Sequence, residues 1–139
     1  MRTVHVSKHL RVPIWVAVVY CCLSIILIPW TFYLSLSLPT RHLSSHWSLI
    51  WVGFDAGLVI LLLATGLLAY LRSVWVVIAA PACGSFLITD AWFDILSAKS
   101  GNDLKESVTM AVFVELPLAV MSYSLAHHIV MKNLKQSSS

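Results

Sequence analysis

Charge is scarce in this sequence: only 11% of its residues are Asp, Glu, Lys or Arg, whereas 59% are hydrophobic. A soluble domain of 139 residues needs a charged surface, and so few charged side chains cannot cover one. The composition therefore predicts an integral membrane protein. The net charge of +3 does not indicate nucleic-acid binding, because the basic residues are scattered at the ends of apolar runs, as in the flanks of membrane helices.

Cysteines and catalytic motifs are also scarce. Cys21, Cys22 and Cys83 lie in apolar runs and form no CxxC pair, so we interpret them as reduced packing residues. The sequence contains no HExxH, GxSxG, P-loop or glycine-rich dinucleotide motif. An enzyme is therefore the less favoured class.

Four long apolar runs are present, at about residues 12–38, 48–71, 74–97 and 107–131. Each is long enough to cross ~30 Å of hydrocarbon at 1.5 Å per residue. The first run is longer than the core of a signal peptide and no clear cleavage site follows it, so we interpret it as a retained helix. Because the connections are short, we expect an all-α membrane protein, an antiparallel four-transmembrane-helix bundle forming one domain over residues 1–139.

The basic residues predict the orientation of the bundle. One set of helix ends carries Arg2, Lys8, Arg11, Arg72, Lys132 and Lys135, and the opposite set carries Arg41, Lys99 and Lys105. The positive-inside rule then places both termini in the cytoplasm, for a multi-pass protein of the inner (plasma) membrane.

Acidic residues inside the apolar runs are the candidate functional groups. Asp103 and Glu106 fall in the connection before the last run, but four acids lie within predicted spans: Asp55, Asp90, Asp94 and Glu115. A charge at a helix centre costs of order 2.5–3.5 kcal/mol. At helical rise, the first, second and last of these acids lie ~10–12 Å below the outer ends of three helices, and Asp94 lies one turn nearer that surface. This common depth predicts one polar site in the outer half of the bundle.

No Lys or Arg lies at that depth, so the acids need protons, a bound cation or hydrogen-bond donors. The leading hypothesis is an outward-facing carboxylate cluster that binds a cation or protons, for transport or conduction. The first alternative is a non-catalytic accessory protein in which protonated acids form an interhelical hydrogen-bond network.

A metal-dependent membrane enzyme is the further alternative. His42 and His46 lie four residues apart in the outer loop, and a helical loop would place both on one face, where they can bind a metal with the acids below. Pro117 follows Glu115 by two residues and is expected to kink the fourth helix near that acid.

Small residues indicate where helices approach closely. Gly53 and Gly57 form a GxxxG pattern in the second run, and Ala80 and Gly84 form a small-xxx-small pair in the third. Besides the lipid bilayer, the expected partner is a second copy of the chain, in a homo-oligomer formed through the Gly53/Gly57 face. No nucleic-acid partner is expected.

The segments "WVGFDAGL", "DAWFD" and "VELPLAV" follow one another on the second, third and fourth runs. With these motifs, over roughly residues 50–125, the chain resembles a family of small uncharacterised bacterial four-span integral membrane proteins. The resemblance implies a fold and a topology, but no activity. The motif segments carry Asp55, Asp90, Asp94 and Glu115, whereas the first helix and the loop with His42 and His46 lie outside them. The chain has the size of small multidrug exporters and fluoride channels but not their motifs.

Overall fold

A computed structural model describes the backbone of residues 12–37 and 47–137. Within these ranges the chain is helical and contains no strand. The elements are α1 (Ile14–Ser37), α2 (Trp47–Tyr70), α3 (Val76–Ser97), α4 (Asn102–Met110), a π-helical turn (Ala111–Glu115) and α5 (Leu116–Ser137). Four helices are long and apolar enough to cross a membrane, which confirms the predicted all-α class and the number of spans.

The side chains of these spans are mostly exposed. Only 22–39% of each apolar window is buried, and large apolar residues such as Phe32, Ile60 and Phe113 are more than half exposed. A water-soluble protein does not leave so much apolar surface uncovered. The exposed side chains are therefore those that face lipid in a multi-pass membrane protein.

The chain divides into two compact units, and the first unit, Val12–Leu71, contains α1 and α2. Buried residues recur every three to four positions along α2 and so form one face of this helix. They are Asp55, Leu58, Leu62, Thr65 and Ala69. Gly66 lies on the same face, and a Cβ atom there would be 2.7 Å from Sγ and 3.1 Å from the backbone N of Cys21. Only glycine permits this closeness, so Gly66 sets the approach of α1 to α2.

Gly53 has no such role inside the first unit. A Cβ atom at Gly53 would meet nothing within 4 Å among the described residues. Gly53 therefore does not mark the close contact between α1 and α2, which Gly66 makes without a small residue four positions before it. A contact between copies of the chain through Gly53 and Gly57 stays a prediction.

The second unit comprises residues 72–137 of the described chain, and in it α3 packs against α5, the π turn and α4. The buried face of α3 follows helical spacing: Val76, Ala80, Cys83, Gly84, Leu87, Asp90 and Ala91. A Cβ atom at Gly84 would lie 3.2 Å from Cβ of Ser122 and 3.3 Å from the carbonyl oxygen of Ala119. Gly84, one member of the predicted small-residue pair, thus lies where α3 meets α5, and Ala80 is buried on the same face. The sequence analysis expects the two units to form a single bundle, and this arrangement stays a prediction.

The fourth apolar run belongs to a longer helical segment than predicted. It begins at Asn102 rather than at about residue 107, so Asp103 and Glu106 lie in α4 and not in a connection. Gly101, with φ 98°, takes a backbone conformation that favours glycine, and the Lys99 N–H donates a hydrogen bond of 2.7 Å to Oδ2 of Asp103. This carboxylate in the first turn stabilises the helix start, although the polar sequence "NDLKE" gives no apolar signal there.

The π turn lies immediately before Pro117. The Leu116 N–H donates to the carbonyl oxygen of Ala111, five residues back, instead of to the fourth residue back. Proline has no N–H for the carbonyl of Phe113, so the regular helical ladder is interrupted at this place. The irregularity expected near Glu115 takes the form of a widened turn that ends on this acid.

Candidate functional site: carboxyl groups buried in the spans

Three of the four intramembrane acids are buried. The exposed fractions are 4% for Asp55, 9% for Asp90 and 7% for Glu115, whereas Asp94 is half-buried. These carboxyl groups therefore point away from the lipid-facing surface. Their burial agrees with the rule that ionisable groups within spans face the protein interior.

Helix α3 contributes two acids to the second unit. Asp90 belongs to the buried face that contacts α5, and Asp94 follows it by four residues, so the two carboxyls share one side of the helix. The Asp94 backbone carbonyl accepts the N–H of Ala98 where α3 ends. Asp94 therefore lies at the end of α3 that leads into α4.

Glu115 is placed by the π turn that it terminates. It lies on the buried face of the last helical segment with Ala111, Leu118, Ala119 and Ser122. Its Oε2 is buried and accepts no hydrogen bond from any residue that the structure describes. Leaving a buried carboxyl oxygen without a donor is costly, and π turns occur frequently at functional sites.

The contacts between α3 and α5 lie on the buried faces that also carry Asp90 and Glu115. Gly84 of α3 meets Ala119 and Ser122 of α5. Asp90 lies six residues beyond Gly84, about 9 Å at helical rise, and Glu115 precedes the Ala119–Ser122 contact by a similar distance. In an antiparallel helix pair these spacings would put Asp90 and Glu115 at one level, with Asp94 about a turn nearer the 98–101 loop, and this common level stays a prediction.

The remaining predicted site residues are not part of this group. Asp55 is buried in the first unit, and its convergence with the acids of α3 and α5 stays a prediction. His42 and His46 lie outside the described residues. Within 12–37 and 47–137, no group of three or more His, Cys, Asp or Glu side chains is arranged to hold a metal ion.

Two polar features of the second unit escaped the sequence analysis. Asp103 was assigned to a connection, but it lies in the first turn of α4, where its Oδ2 accepts the Lys99 N–H. Ser85 and Tyr123 share a hydrogen bond of 2.7 Å between their hydroxyl oxygens, on the exposed side of the α3–α5 contact. These two residues are 38 positions apart, and nothing in the sequence signals that they meet.

The fold and the buried acids define an α-helical multi-pass membrane protein with carboxyl groups inside its spans. The chain matches no protein-family model, no curated protein and no solved structure. Any statement about its activity therefore rests on the geometry of its own residues.

Proposed function

We propose that this chain is an inner-membrane protein that binds protons at the carboxyl groups of Asp90, Asp94 and Glu115 and uses them for proton transport or conduction. The observation that carries the proposal is the buried Oε2 of Glu115, which has no hydrogen-bond donor among the described residues. A proton bound by these groups would reduce the repulsion between their charges. It would also give Glu115 a hydroxyl group that can donate a hydrogen bond.

The absence of basic residues supports protons as the ligand. Neither residues 73–98 nor residues 106–131 contain a Lys or Arg. A carboxylate in such surroundings has no fixed counter-charge, so a mobile cation must balance it. Divalent metals prefer several protein oxygens or nitrogens, and the described residues offer no group of three. A proton needs only one carboxyl oxygen.

The proposed topology is an antiparallel four-helix bundle with both termini in the cytoplasm. Two observations support it: only residues 98–101 separate α3 from α4, and α3, whose Gly84 meets Ala119 and Ser122 of α5, also packs against the π turn that precedes α5. The distribution of Lys and Arg supports the orientation, which places the 98–101 loop and the three acids toward the outer side. The resemblance to small bacterial four-span proteins is part of this proposal.

A homo-oligomer would complete a pathway that four helices have little room to enclose. Gly53 is exposed, and a Cβ atom there would meet no described residue within 4 Å, so a second copy can approach α2 closely there. Substituting Gly53 with Leu should then shift the protein toward monomer in detergent. An unchanged oligomeric state would remove this part of the proposal.

Infrared spectroscopy of the purified protein tests proton binding directly. The carbonyl stretch of protonated carboxylic acid should grow as the pH falls, and Glu115→Gln should remove one carboxyl from that band. The matched control is Glu106→Gln, which removes an exposed carboxyl of α4. If Glu115→Gln leaves the protonated band of the wild type unchanged at every pH, Glu115 does not bind protons.

Proton flux into liposomes tests the transport step. Wild-type protein should conduct protons down an imposed gradient, whereas Glu115→Gln and Asp90→Asn should reduce the flux toward that of protein-free liposomes. Equal proton flux in liposomes with wild-type protein and in protein-free liposomes would contradict the proposed transport, and only the proposed proton binding would stand.

An interhelical network is the second candidate, because Asp55 and Asp90 each already make an interaction with a neighbouring group. In that case both acids stabilise the bundle and take no part in proton transport. Asp90→Asn and Asp55→Asn would then lower the free energy of unfolding, and neither would alter a flux.

A further inference from the structure

We propose that the proton bound by Glu115 is shared with the backbone of its own helix, as a hydrogen bond from the protonated carboxyl group to the carbonyl oxygen of Val112. The inference rests on the proposed function, because it names the acceptor that completes the same proton site. The π turn then has a definite role, which is to keep one carbonyl group free beside Glu115.

The hydrogen bonds of the π turn leave the Val112 carbonyl without a helical donor. A carbonyl in a helix accepts from the N–H four residues on, or five residues on in a π turn. For Val112 the first of these is the Leu116 N–H, which donates to the Ala111 carbonyl instead. The second position is Pro117, which has no N–H. Among the described residues, no side chain donates to Val112 either.

The side chain of Glu115 leaves the helix on the side of this carbonyl. Helical side chains tilt toward the N-terminus and cover the preceding turn, so each lies over the carbonyl groups three and four positions before it. Two hydroxyl groups of this chain make such bonds, each at 2.8 Å: Ser24 donates three residues back and Ser122 donates four residues back. Glu115 follows Val112 by three residues and has a longer side chain.

Glu115 and Val112 therefore present two acceptors that both need a hydrogen. Oε2 of Glu115 is buried and accepts no hydrogen bond within the described part of the chain, and the residue is only 7% exposed. An acceptor left without a hydrogen in such surroundings costs free energy. One proton on Oε2 offsets both costs, because the new O–H group donates to the carbonyl. The proton comes from water and returns to it, so no co-reactant is needed.

The titratable groups of the helices packed against the π turn do not supply this hydrogen. Lys105 is the basic residue closest to Glu115 in the sequence, but it is exposed and ten positions away, about 15 Å at helical rise. The acids of α3 compete for a proton rather than donate one when ionised. The groups are Cys83, Asp90 and Asp94 of α3, Asp103, Lys105 and Glu106 of α4, and Tyr123, His127, His128, Lys132 and Lys135 of α5.

Isotope-edited infrared spectroscopy tests the hydrogen bond. Valine labelled with carbon-13 at its carbonyl atom separates the valine carbonyl bands from the rest of the backbone, and subtracting the spectrum of Val112→Ile isolates the band of Val112. In the wild type this band should shift to lower wavenumber as the pH falls, together with the growth of the Glu115 carboxyl band. In Glu115→Gln it should stay at the lower position at every pH, because the amide group donates permanently. In Glu115→Leu it should stay at the higher position.

Pro117→Ala tests whether the free carbonyl strengthens proton binding. The new N–H provides Val112 with a donor in either form of the turn: residue 117 donates to it in a retained π turn, and Leu116 donates to it in a regular helix. Glu115 should then bind its proton about three- to tenfold more weakly, as expected for the loss of one hydrogen bond. The growth of its carboxyl band should shift to lower pH by the corresponding amount.

Pro29→Ala is the matched control, because Pro29 is likewise an exposed proline inside a membrane helix, and α1 contains no acid. It should change neither the Val112 band nor proton binding. A Val112 band that stays fixed while the Glu115 carboxyl band grows would overturn the inference and leave the proposed proton binding standing. Unchanged proton binding in Pro117→Ala, or equal weakening in Pro29→Ala, would do the same. No Glu115 carboxyl band at any pH would overturn the proposed function itself.

Discussion

The two helix pairs use the same device to pack and differ in how they place acids. Each has one buried glycine at its close contact, Gly66 between α1 and α2 and Gly84 between α3 and α5. The first unit buries one acid, Asp55, among leucines of a regular helix. The second buries Asp90 and Glu115 on facing helices and interrupts one helix with a π turn.

This difference separates a structural acid from a functional candidate. A single buried carboxyl can lose its charge by taking up a proton and can then serve as a hydrogen-bonding group between helices. Several acids near one another are harder to keep charged together, and each charge costs more because of its neighbours. We therefore place the functional proposal on the second unit and leave Asp55 outside it.

Substituting the glycine at the helix contact of the first unit should have the largest effect on stability. In Gly66→Ala the new Cβ atom would be 2.7 Å from Sγ and 3.1 Å from the backbone N of Cys21, and the backbone cannot move aside without shifting α1. Overpacking destabilises the folded protein, and the better helix propensity of alanine offsets part of that loss. The net result should be a free energy of unfolding lower by about 1–2 kcal/mol. Titration with SDS in mixed micelles, followed by tryptophan fluorescence, measures it.

Gly53→Ala is the control for that experiment, because its Cβ atom meets nothing within 4 Å among the described residues. It should be neutral or stabilising by up to about 1 kcal/mol. Equal stability of the Gly66 and Gly53 variants would show that α1 and α2 are not in close contact at Gly66.

The glycine contact of the second unit should tolerate alanine better. In Gly84→Ala the nearest atom is Cε2 of Tyr123 at 3.1 Å, and a ring at the exposed side of the contact can move by a few tenths of an ångström. We expect a loss of about 0.5–1 kcal/mol, smaller than for Gly66→Ala. The same titration ranks the two variants. A larger loss for Gly84→Ala would reverse this comparison and show that the tighter contact belongs to the second unit.

Buried hydroxyl groups should give the smallest effects, with opposite signs in the two units. Thr65 Oγ1 is buried and has no hydrogen-bond partner among the described residues, whereas Ser122 Oγ donates to the Leu118 carbonyl at 2.8 Å. Thr65→Val should therefore stabilise the first unit by about 0.5–1 kcal/mol, and Ser122→Ala should destabilise the second by about 0.6 kcal/mol. Thermal unfolding of both variants in one detergent checks the signs. Destabilisation by Thr65→Val would mean that this hydroxyl has a partner in the membrane.

Hydropathy predicted the helices well wherever the sequence was apolar. Helices α1 to α3 begin and end within a few residues of the predicted bounds, because a span must be apolar over its whole length. The start of α4 was missed since it depends on the bond between the Lys99 N–H and Asp103, and a polar helix outside the apolar run has no hydropathy signal. Gly66 was missed because it lacks the spacing that identified Gly53 and Gly84.

The sequence by itself determined the class of protein, the number of spans and the presence of four acids within them, because a lipid environment requires long apolar helices and makes each charge conspicuous. Only the tertiary structure decided that Oε2 of Glu115 is buried without a donor among the described residues and that Asp103 belongs to the first turn of α4. The rotation and register of one helix against another depend on contacts such as those of Gly84 with Ala119 and Ser122. Those contacts join residues far apart in the chain, and hydropathy does not encode them.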